Sequence, residues 1–407
     1  MHVVFLNQYY PPDAAPTGVV LRDLTEEMAK DGHEVTVLCA SGGYAAGIGS
    51  RRERASLQPS PVRVLRIGAT RFGRGSHLGK LLDYASYYLG VCWRLLVMRP
   101  RPERVVALTT PPYLSVLARL LTKLRGADHA HWVMDLYPDV MVAHGMLRGG
   151  SLPQRLLAAL GRWGMGGGRC AAVVTLGPDM AERVTSQVAG NPARVSWVPL
   201  WAGVSGENEE VEAAMELRRK RGWKDDELVV MYSGNMGLGH RFTEILAAAL
   251  AMRNEPVRFV LCGGGRKKPE LEEFVRKHPA CRVELRDYAA ADELAAHLRS
   301  ADVHLASLEE AWTGTMVPSK LQGIFAAGRP VIFIGAGESS IGRWVRESGA
   351  GWCVPAGDNA GFSAALREAA QPAIRAEMAA AALRFAKNRF DRRINAARVA
   401  AALLAPR

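Results

Sequence analysis

The chain has 407 residues, too many for one ordinary core and enough for two domains of roughly 150–200 residues each. Its apolar content of 48% and charged content of 23% are typical of a globular protein, which excludes a disordered chain. Lys and Arg exceed Asp and Glu by 52 to 40, and the resulting formal net charge of +12 favours anionic partners.

The first residues predict a β-strand. The segment MHVVFLNQYYPP has no basic leading region and only a short apolar run, which does not fit a signal peptide. The six cysteines have no CxxC pair and no metal-binding spacing, and several lie in apolar runs. They are interpreted as reduced core thiols of a cytoplasmic protein.

Strand and helix patterns alternate along the whole chain, which predicts parallel sheets covered by helices on both faces. The strands predicted in the first half are Val3–Leu6, Val35–Cys39, Val105–Leu108, His131–Asp135, Ala171–Thr175 and Val195–Val198. Those predicted in the second half are Leu228–Tyr232, Arg258–Cys262, Arg282–Leu285, Val303–Ala306, Val331–Ile334 and Gly351–Val354. The predicted helices include Val19–Lys30, Tyr113–Lys123, Phe242–Met252, Glu270–Lys277, Pro318–Ala327 and an alanine-rich tail from Ala364.

This pattern predicts an α/β fold with two doubly wound, Rossmann-like domains that face each other across a cleft. A stretch rich in glycine and charge at 199–226 separates the two halves. The predicted domains are residues 1–200 and 201–380, and a helix at 381–407 is predicted to pack back towards the first domain.

A basic region lies at residues 51–104, with twelve Lys and Arg against three Asp and Glu. It contains the apolar, aromatic segment Gly79–Met98, whose Lys80, Asp83 and Arg94 argue against a transmembrane helix. An apolar helix joined to basic residues favours a protein resting on an anionic membrane surface. The alternative is a buried helix beside a solvated loop. Nucleic acid is not predicted as a partner, because no binding motif accompanies the charge.

Two loops of the first domain are candidates for substrate binding. The loop after the first strand has no GxGxxG motif, and its prolines favour a rigid substrate loop over an ordinary strand-to-helix turn. Asp135 ends the predicted strand His131–Asp135, where a carboxylate could orient or deprotonate a hydroxyl. Equally, it could cap the turn before Pro138. His129 and His131 share one strand face without acidic or cysteine neighbours, so no metal site is predicted.

Glycine-rich loops follow two strands of the second domain. The loop 232–241, YSGNMGLGHR, allows the backbone to wrap an anion, and Arg241 is predicted to start the next helix with a full positive charge. A second glycine run occupies Gly263–Gly265. Together with the segment described next, these loops favour a diphosphate ligand.

Residues 316–335, MVPSKLQGIFAAGRPVIFIG, predict a helix followed at once by a buried strand. Pro318 is predicted to open the helix, so Ser319 and Lys320 lie at an N-terminus whose unpaired N–H groups suit a phosphate. Glu309, in the preceding loop, could bond sugar hydroxyls; the alternative is a solvated acidic pair with its neighbour.

Segments spread over nearly the whole chain resemble glycosyltransferase family 4, which has the GT-B architecture, and in particular its bacterial colanic-acid and surface-polysaccharide branch. The segments are NQYYPPDAAPTG, GHEVTVLCA, LTTPPY, MDLYPD, YSGNMG and VPSKLQGIFAAGRPVIFIG, with Gly351–Asp358. The resemblance implies an N-terminal acceptor domain, a C-terminal nucleotide-sugar domain, and transfer that retains the anomeric configuration without a metal.

The resemblance also implies residue roles in the second domain. The family's phosphate-contacting pair falls on Asn235 and Arg241, and the positions that read the nucleobase fall on Arg286 and Tyr288. The glutamate that usually holds the ribose is replaced by Gly323. In the first domain, the histidine that often precedes the aspartate is Met134, which leaves Asp135 alone.

The sequence therefore predicts a retaining glycosyltransferase that transfers a sugar from a nucleotide diphosphate, most commonly uridine diphosphate, to a membrane-associated acceptor. It is predicted to be cytoplasmic and peripheral on the inner membrane face, and to need no cofactor. The alternatives are a nucleotide-sugar epimerase or hydrolase and a non-catalytic carbohydrate-binding protein.

The predicted catalytic residues are Asp135, Arg241 and Lys320. The predicted donor contacts are Gly18, Gly234, Asn235, Gly237, Gly264, Arg286, Tyr288, Glu309, Ser319 and Lys320. The predicted acceptor contacts are Tyr9, Asp13, Thr17 and Tyr137.

Overall fold

A computed structural model describes residues 1–13, 15–41, 60–68, 70, 72, 77–188, 194–202 and 209–406. The chain divides into two compact units. The N-terminal unit contains Met1–Pro199 together with Arg393–Arg407, and the C-terminal unit contains Leu200–Arg392. The division therefore falls after Pro199 and after Arg392, where the sequence predicted limits after residues 200 and 380.

The N-terminal unit is built on a seven-stranded parallel sheet of order β3-β2-β1-β4-β5-β6-β7. Its strands are β1 (His2–Leu6), β2 (Glu34–Ala40), β3 (Arg63–Ile67), β4 (Arg104–Ala107), β5 (Asp128–Trp132), β6 (Cys170–Thr175) and β7 (Val195–Trp197). Its helices are α1 (Pro16–Lys30), α2 (His77–Val97), α3 (Leu114–Arg125), α4 (Asp139–Ala143), α5 (Leu152–Met165) and α6 (Pro178–Gln187).

The C-terminal unit is built on a six-stranded parallel sheet of order β10-β9-β8-β11-β12-β13. Its strands are β8 (Leu228–Ser233), β9 (Val257–Cys262), β10 (Val283–Arg286), β11 (Val303–Ser307), β12 (Val331–Ile334) and β13 (Gly351–Val354). Its helices are α7 (Glu209–Lys220), α8 (Thr243–Ala251), α9 (Lys268–Lys277), α10 (Leu294–Arg299), α11 (Lys320–Ala326), α12 (Ser340–Ser348), α13 (Asn359–Ala369) and α14 (Pro372–Arg389). Two doubly wound parallel sheets confirm the predicted fold class.

A last helix, α15 (Arg392–Leu404), lies almost wholly within the N-terminal unit. There the buried guanidinium of Arg104, on β4, donates to the carbonyl oxygen of Leu403 at 2.5 Å. The side-chain amide of Asn395 donates to the carbonyl of Pro199 at 3.2 Å. These bonds tie the end of the chain to the first sheet.

The structure differs from the sequence prediction in three places. The strand β3 was not predicted. It lies at the edge of its sheet, and because its exposed Arg63 and Arg66 interrupt the apolar residues, the sequence shows no apolar run there. The predicted strand His131–Asp135 is wrong at both ends, since β5 covers Asp128–Trp132. The alanine-rich tail is helical as predicted, but the helix predicted at 381–407 is divided between α14, which begins at Pro372, and a last helix that begins at Arg392.

Helices pack against both sheets. In the N-terminal unit, Tyr87 and Val91 of α2 and Leu114 and Ala118 of α3 pack with Val4 of the central strand β1. Within the described part of the chain, none of the helices combines the length and the apolar character that crossing a bilayer requires.

Candidate functional site

The clearest candidate site lies at the carboxyl edge of the C-terminal sheet, where the strand order reverses between β8 and β11. Ligands of doubly wound sheets bind at such a switch point, outside the carboxyl ends of the strands. The loop 234–242 leaves β8 at this edge, and the loop 308–319 leaves β11 beside it.

The two glycine-rich loops are held together through their backbones. The amide of Gly234 donates to the carbonyl of Cys262 at 2.9 Å, and the amide of Met236 donates to that of Gly264 at 2.7 Å. Gly263 has a φ of 130°, and a Cβ placed on it would lie 2.1 Å from the carbonyl oxygen of Gly234. Only glycine fits this approach, so the sequence motif serves the packing of the two loops.

Lys320, the first residue of α11, reaches the loop after β8. Its ammonium donates to the hydroxyl of Tyr232 and, at 3.3 Å, to the carbonyl of Asn235. It also lies 3.9 Å from the centre of the Tyr232 ring, a cation–π contact. A Cβ on Gly234 would lie 2.7 Å from Cε of Lys320, so this glycine makes room for the lysine stem.

The electrostatic surroundings of Lys320 are unusual for a lysine. Its ammonium forms no ion pair with a carboxylate of the described residues; its side-chain partners there are Tyr232 and Nε2 of His240, 3.3 Å away. Burial alone holds the pKa of Lys320 well below its ordinary value of 10.5. An anionic ligand would therefore supply the opposite charge that the protein does not.

His240 supports this lysine as a neutral ring. Burial, aided by the charges of Lys320 and Lys267, lowers its pKa to about 3. Its Nδ1 lies 2.7 Å from the carbonyl of Ser307 and must carry the proton that this bond requires, which leaves Nε2 to accept from Lys320. Sequence reasoning did not select His240; its place at the end of the glycine-rich loop was the only signal.

Arg241 has the opposite surroundings. Its guanidinium donates to Oε1 of Glu244 at 2.6 Å and to Oε2 of Glu309 at 2.7 Å. Its bonds to these two carboxylates, Glu244 first, raise the pKa of Arg241 above its ordinary value. Glu309 also accepts a hydrogen bond from the ammonium of Lys267 at 3.3 Å. Sequence reasoning missed this second cation, although Lys267 lies two residues after the glycine run Gly263–Gly265.

Three local expectations in this region are corrected. Arg241 does not start a helix, since α8 begins at Thr243. Pro318 does not open α11, which begins at Lys320, and Ser319 before it is exposed and makes no capping bond. Glu309 is not part of a solvated acidic pair, because it joins two cations.

The remaining predicted donor contacts border the same loops. Tyr288 is exposed, and its hydroxyl donates to the carbonyl of Gly264 at 3.1 Å. Arg286 ends β10 and pairs with Glu284, while its Nε is buried without a partner among the described residues. Gly237 follows Asn235 in the loop after β8, and its Cβ position lies 3.0 Å from the Asn235 amide.

Gly323 lies one turn into α11, where the family's ribose-binding glutamate was expected. A Cβ there would lie 3.3 Å from Cδ1 of Leu298 on α10. The preceding Gln322 is buried, and its Oε1 has no partner within residues 209–406 or elsewhere in the described chain. No carboxylate of α11 can take the expected role, since the helix, KLQGIFA, has none.

In the N-terminal unit, Asp135 lies three residues beyond the end of β5, in the bend that leads to α4. Its backbone amide donates to the hydroxyl of Thr109 at 3.3 Å, and burial raises the pKa of its carboxyl to about 6. It borders a small, open pocket that Tyr113, His131 and Tyr137 also line. The structure thus brings Asp135 and Tyr137 together.

The histidines of β5 have structural partners. Nδ1 of His131 lies 2.7 Å from the carbonyl of Ala107, and Nδ1 of His129 lies 3.5 Å from the hydroxyl of Thr122. Burial lowers the pKa of each to about 4, so both rings are neutral near pH 7.

The loop after β1 places four predicted residues around one turn. A Cβ on Gly18 would lie 3.1 Å from the carbonyl oxygen of Tyr9, so the start of α1 packs on this loop. Asp13 is buried, and Thr17 is half-buried in the first turn of α1. Gly18, predicted as a donor contact, faces loop backbone here.

Only part of the basic region 51–104 belongs to the described chain. Residues 51–59, 69, 71 and 73–76 lie outside it. The described part contains β3, α2 and β4.

Comparison with known families identifies both units. Residues 17–201 match the family profile described as a glycosyl transferase 4-like domain, and residues 227–371 match that of glycosyl transferases group 1. The chain is 25% identical over 352 residues to a protein named for colanic acid biosynthesis, the glycosyl transferase WcaI of Escherichia coli (strain K12), covering 84% of this chain and 85% of the relative. It is 26% identical over 264 residues to the glycosyltransferase-named WbjE of Pseudomonas aeruginosa, covering 63% of this chain and 64% of the relative.

Solved structures support the same fold. WaaG, a glycosyltransferase involved in lipopolysaccharide biosynthesis, superimposes with a TM-score of 0.70 at 17% identity, covering 99% of this chain and 100% of its own. Anabaena Alr3699/HepE in complex with UDP-glucose gives a TM-score of 0.69 at 15% identity, with 98% of each chain covered. The chain therefore belongs to the GT-B glycosyltransferases of family 4, with colanic-acid and surface-polysaccharide enzymes among its relatives.

Proposed function

We propose that this protein is a retaining, hexosyltransferase-type enzyme that uses a nucleotide-diphosphate sugar, most simply a UDP-sugar. The observation that carries the proposal is Lys320, an ammonium without a carboxylate partner among the described residues, set against a glycine-rich loop at the switch point of the sheet. The structural neighbour HepE was solved with UDP and with UDP-glucose, which supports the choice of base.

In this proposal the sugar–diphosphate bond breaks as the bond from the acceptor oxygen to the anomeric carbon forms on the same face. Lys320 and the amides of the loop 234–242 stabilise the negative charge that builds on the leaving diphosphate. Arg241 adds its charge only in part, because Glu244 and Glu309 already neutralise it. The acceptor proton passes to a leaving-group oxygen, so no enzyme nucleophile is required, and no metal is invoked.

Asp135 is proposed to orient the acceptor hydroxyl as a hydrogen-bond acceptor. Its raised pKa of about 6 still leaves it largely ionised at pH 7. Tyr137 and Tyr113, whose ring centres lie 6.3 Å apart beside it, offer aromatic surface to a sugar ring. Tyr9, Asp13 and Thr17 remain proposed acceptor contacts.

The acceptor is proposed to be a glycan or lipid-linked molecule of cell-surface polysaccharide or glycoconjugate synthesis, and the enzyme to act at the cytoplasmic face of the membrane. The support is the relationship to WcaI and the basic, apolar region 51–104. WaaG, named for lipopolysaccharide biosynthesis, shares the fold.

The test is incubation of the protein with a panel of nucleotide sugars, with and without a bacterial membrane lipid extract. We expect release of free nucleotide that depends on the extract, with UDP-sugars the best donors. The Lys320→Met variant, which keeps the stem and removes the charge, should lower this release by about 10²–10³-fold, while Lys277→Met, at an exposed surface pair, should not.

Release without any acceptor would instead support a hydrolase on the same fold. No release and no shift of the thermal midpoint by UDP would support a non-catalytic protein, since a bound ligand raises the midpoint by mass action. Either result would overturn the proposed transfer.

A further inference from the structure

Exposed large apolar side chains are concentrated on three helices of the N-terminal unit. More than half of those in the described chain lie on α2, α3 and α5, whereas residues 209–392 expose only Val211, Met215, Tyr288 and Leu383. Leu89 and Trp93 on α2 are 72% and 66% exposed, and Leu124 on α3 is 66% exposed. Single exposed apolar residues are ordinary, but such a concentration marks an interaction surface.

The exposed residues form a stripe along each helix. Leu89 and Trp93 are four residues apart on α2, as are Leu120 and Leu124 on α3 and Leu152 and Leu156 on α5. Residues at this spacing lie on one face of a helix. Each stripe is therefore a continuous outer face rather than a set of unrelated positions.

The three outer faces belong to one surface. α3 packs against both α2 and α5, and Arg119 of α3 lies 4.3 Å above the ring of Trp163 of α5. The crossovers β3 to β4, β4 to β5 and β5 to β6 all run in the same direction along the sheet. Right-handed connections then place all three helices on one face of it. We call the outer residues of α2, α3 and α5 the three-helix surface.

The core does not require these outer residues. The inner side of α2 already buries Tyr87, Val91 and Leu95 against the sheet. A helix that is apolar on its inner and its outer side needs a second apolar environment. The three-helix surface therefore lacks its partner within the described part of the chain.

The charge of the surface indicates the partner. The three helices carry seven Lys and Arg and one acidic residue, Asp83. Exposed Arg94, Lys123, Arg155 and Arg162 each adjoin an exposed apolar residue in sequence, so cations flank the stripes. Apolar stripes flanked by cations are the pattern of a helix lying in the interface of an anionic bilayer.

We propose that the three-helix surface docks the protein on an anionic lipid bilayer, with Leu89, Trp93, Leu124 and Leu156 in the headgroup region and the arginines on lipid phosphates. The inference rests on the proposed function, because a membrane-bound acceptor gives the enzyme a reason to dock. It extends beyond the basic region 51–104 by including α3 and α5.

The test is sedimentation of the whole protein with phosphatidylcholine vesicles that either contain or lack phosphatidylglycerol. We expect binding that requires phosphatidylglycerol and weakens with salt. Leu89→Glu/Trp93→Glu and Leu152→Glu/Leu156→Glu should each weaken binding by about tenfold or more, since each places two negative charges in the interface. Val211→Glu/Met215→Glu, the matched pair on α7, should bind as the unaltered protein does.

Failure of the wild-type protein to bind, or equal loss in the α7 pair, would overturn the proposal. Unchanged binding of the α5 double variant would also overturn it, because docking would then be confined to α2. A dimer that the α2 double variant dissociates would overturn it as well, because the partner would then be a second copy of the protein. Because vesicle binding needs neither donor nor acceptor, a protein that binds vesicles but transfers no sugar would refute the proposed function alone. The thermal midpoint and the circular dichroism spectrum of each variant, compared with those of the unaltered protein, verify that it is folded.

Discussion

The two units each contain a half-buried charged side chain at a sheet edge that forms no ion pair with another described residue. In the N-terminal unit it is the carboxyl of Asp135, whose pKa burial raises to about 6. In the C-terminal unit it is the ammonium of Lys320, whose pKa burial holds well below 10.5. Both pKa shifts disfavour the charged form of the group. A ligand that stabilises the charged form therefore has the largest effect on these two groups. The comparison predicts an anion at Lys320 and a hydrogen-bond donor at Asp135.

Within the C-terminal site, Arg241 is a cation whose charge is neutralised by carboxylates. Two carboxylates hold it, one of them the buried Glu244, so it is part of the fold as well as of the site. Lys320, by contrast, has no carboxylate partner among the described residues. The two cations should therefore respond differently to removal.

The largest effect is expected from Lys320→Met. Turnover should fall by about 10²–10³-fold, because one stabilising contact to the leaving group is lost. The free energy of unfolding at neutral pH should stay the same or rise, since a half-buried charge disfavoured by its surroundings has been removed. Steady-state kinetics and chemical denaturation measure the two quantities.

Near-normal turnover in Lys320→Met would refute the assignment of the diphosphate to this site. A large loss of stability would show instead that Lys320 holds the glycine-rich loop together. Lys277→Met provides the baseline for both measurements.

Arg241→Gln should have the next largest effect, and on stability first. It leaves Glu244 buried without its cation, which should lower the free energy of unfolding by about 3 kcal/mol. Denaturation by guanidinium checks this value. Adding Glu244→Gln should recover most of the loss, and failure to recover would mean that the pair with Glu309 matters more.

The sequence predicted much of the fold because its strong patterns are local. The strands β12 and β13 have the predicted bounds, since an apolar run between a helix end and a glycine leaves little choice. β5 was displaced because the polar residues at its start, Asp128 and His129, obscured a buried strand. The strand β3 was missed for a similar reason, with exposed arginines in an edge position.

The candidate site was predictable only in outline. Glycines after a strand indicated the loop at 234–242, as they do in many nucleotide-binding proteins. The bonds from Lys320 to His240 and from Arg241 to Glu309 join residues 80 and 68 positions apart, and nothing local encodes them. A single sequence therefore identifies candidate charges, whereas the fold decides which of them are neutralised.

Asp135→Asn should have a smaller effect that depends on pH. The folded pKa of about 6 exceeds the ordinary 3.8, so the folded state holds the proton more tightly and loses stability as the pH rises from about 4 to 6. The variant cannot ionise. Its free energy of unfolding relative to wild type should therefore rise over this range, by on the order of 2 kcal/mol.

Denaturation at pH 4 and at pH 7 gives the difference directly. If the free energies of unfolding of the wild type and the variant change equally with pH, the surroundings of Asp135 do not disfavour its charge. The comparison of Asp135 with Lys320 would then be wrong. Activity in the same variant should fall about tenfold if the carboxylate orients the acceptor.

The smallest expected effect is a fraction of a proton taken up when UDP binds. A diphosphate beside Lys320 should raise its pKa from the lowered value, so binding should take up protons at a mildly alkaline pH, above the phosphate ionisation of UDP and below that of its uracil ring. Calorimetry in buffers of different ionisation enthalpy measures the uptake. His240 should not contribute there, because its pKa of about 3 lies far below that range. Uptake that persists unchanged in Lys320→Met would assign the proton to another group and separate the diphosphate from the lysine.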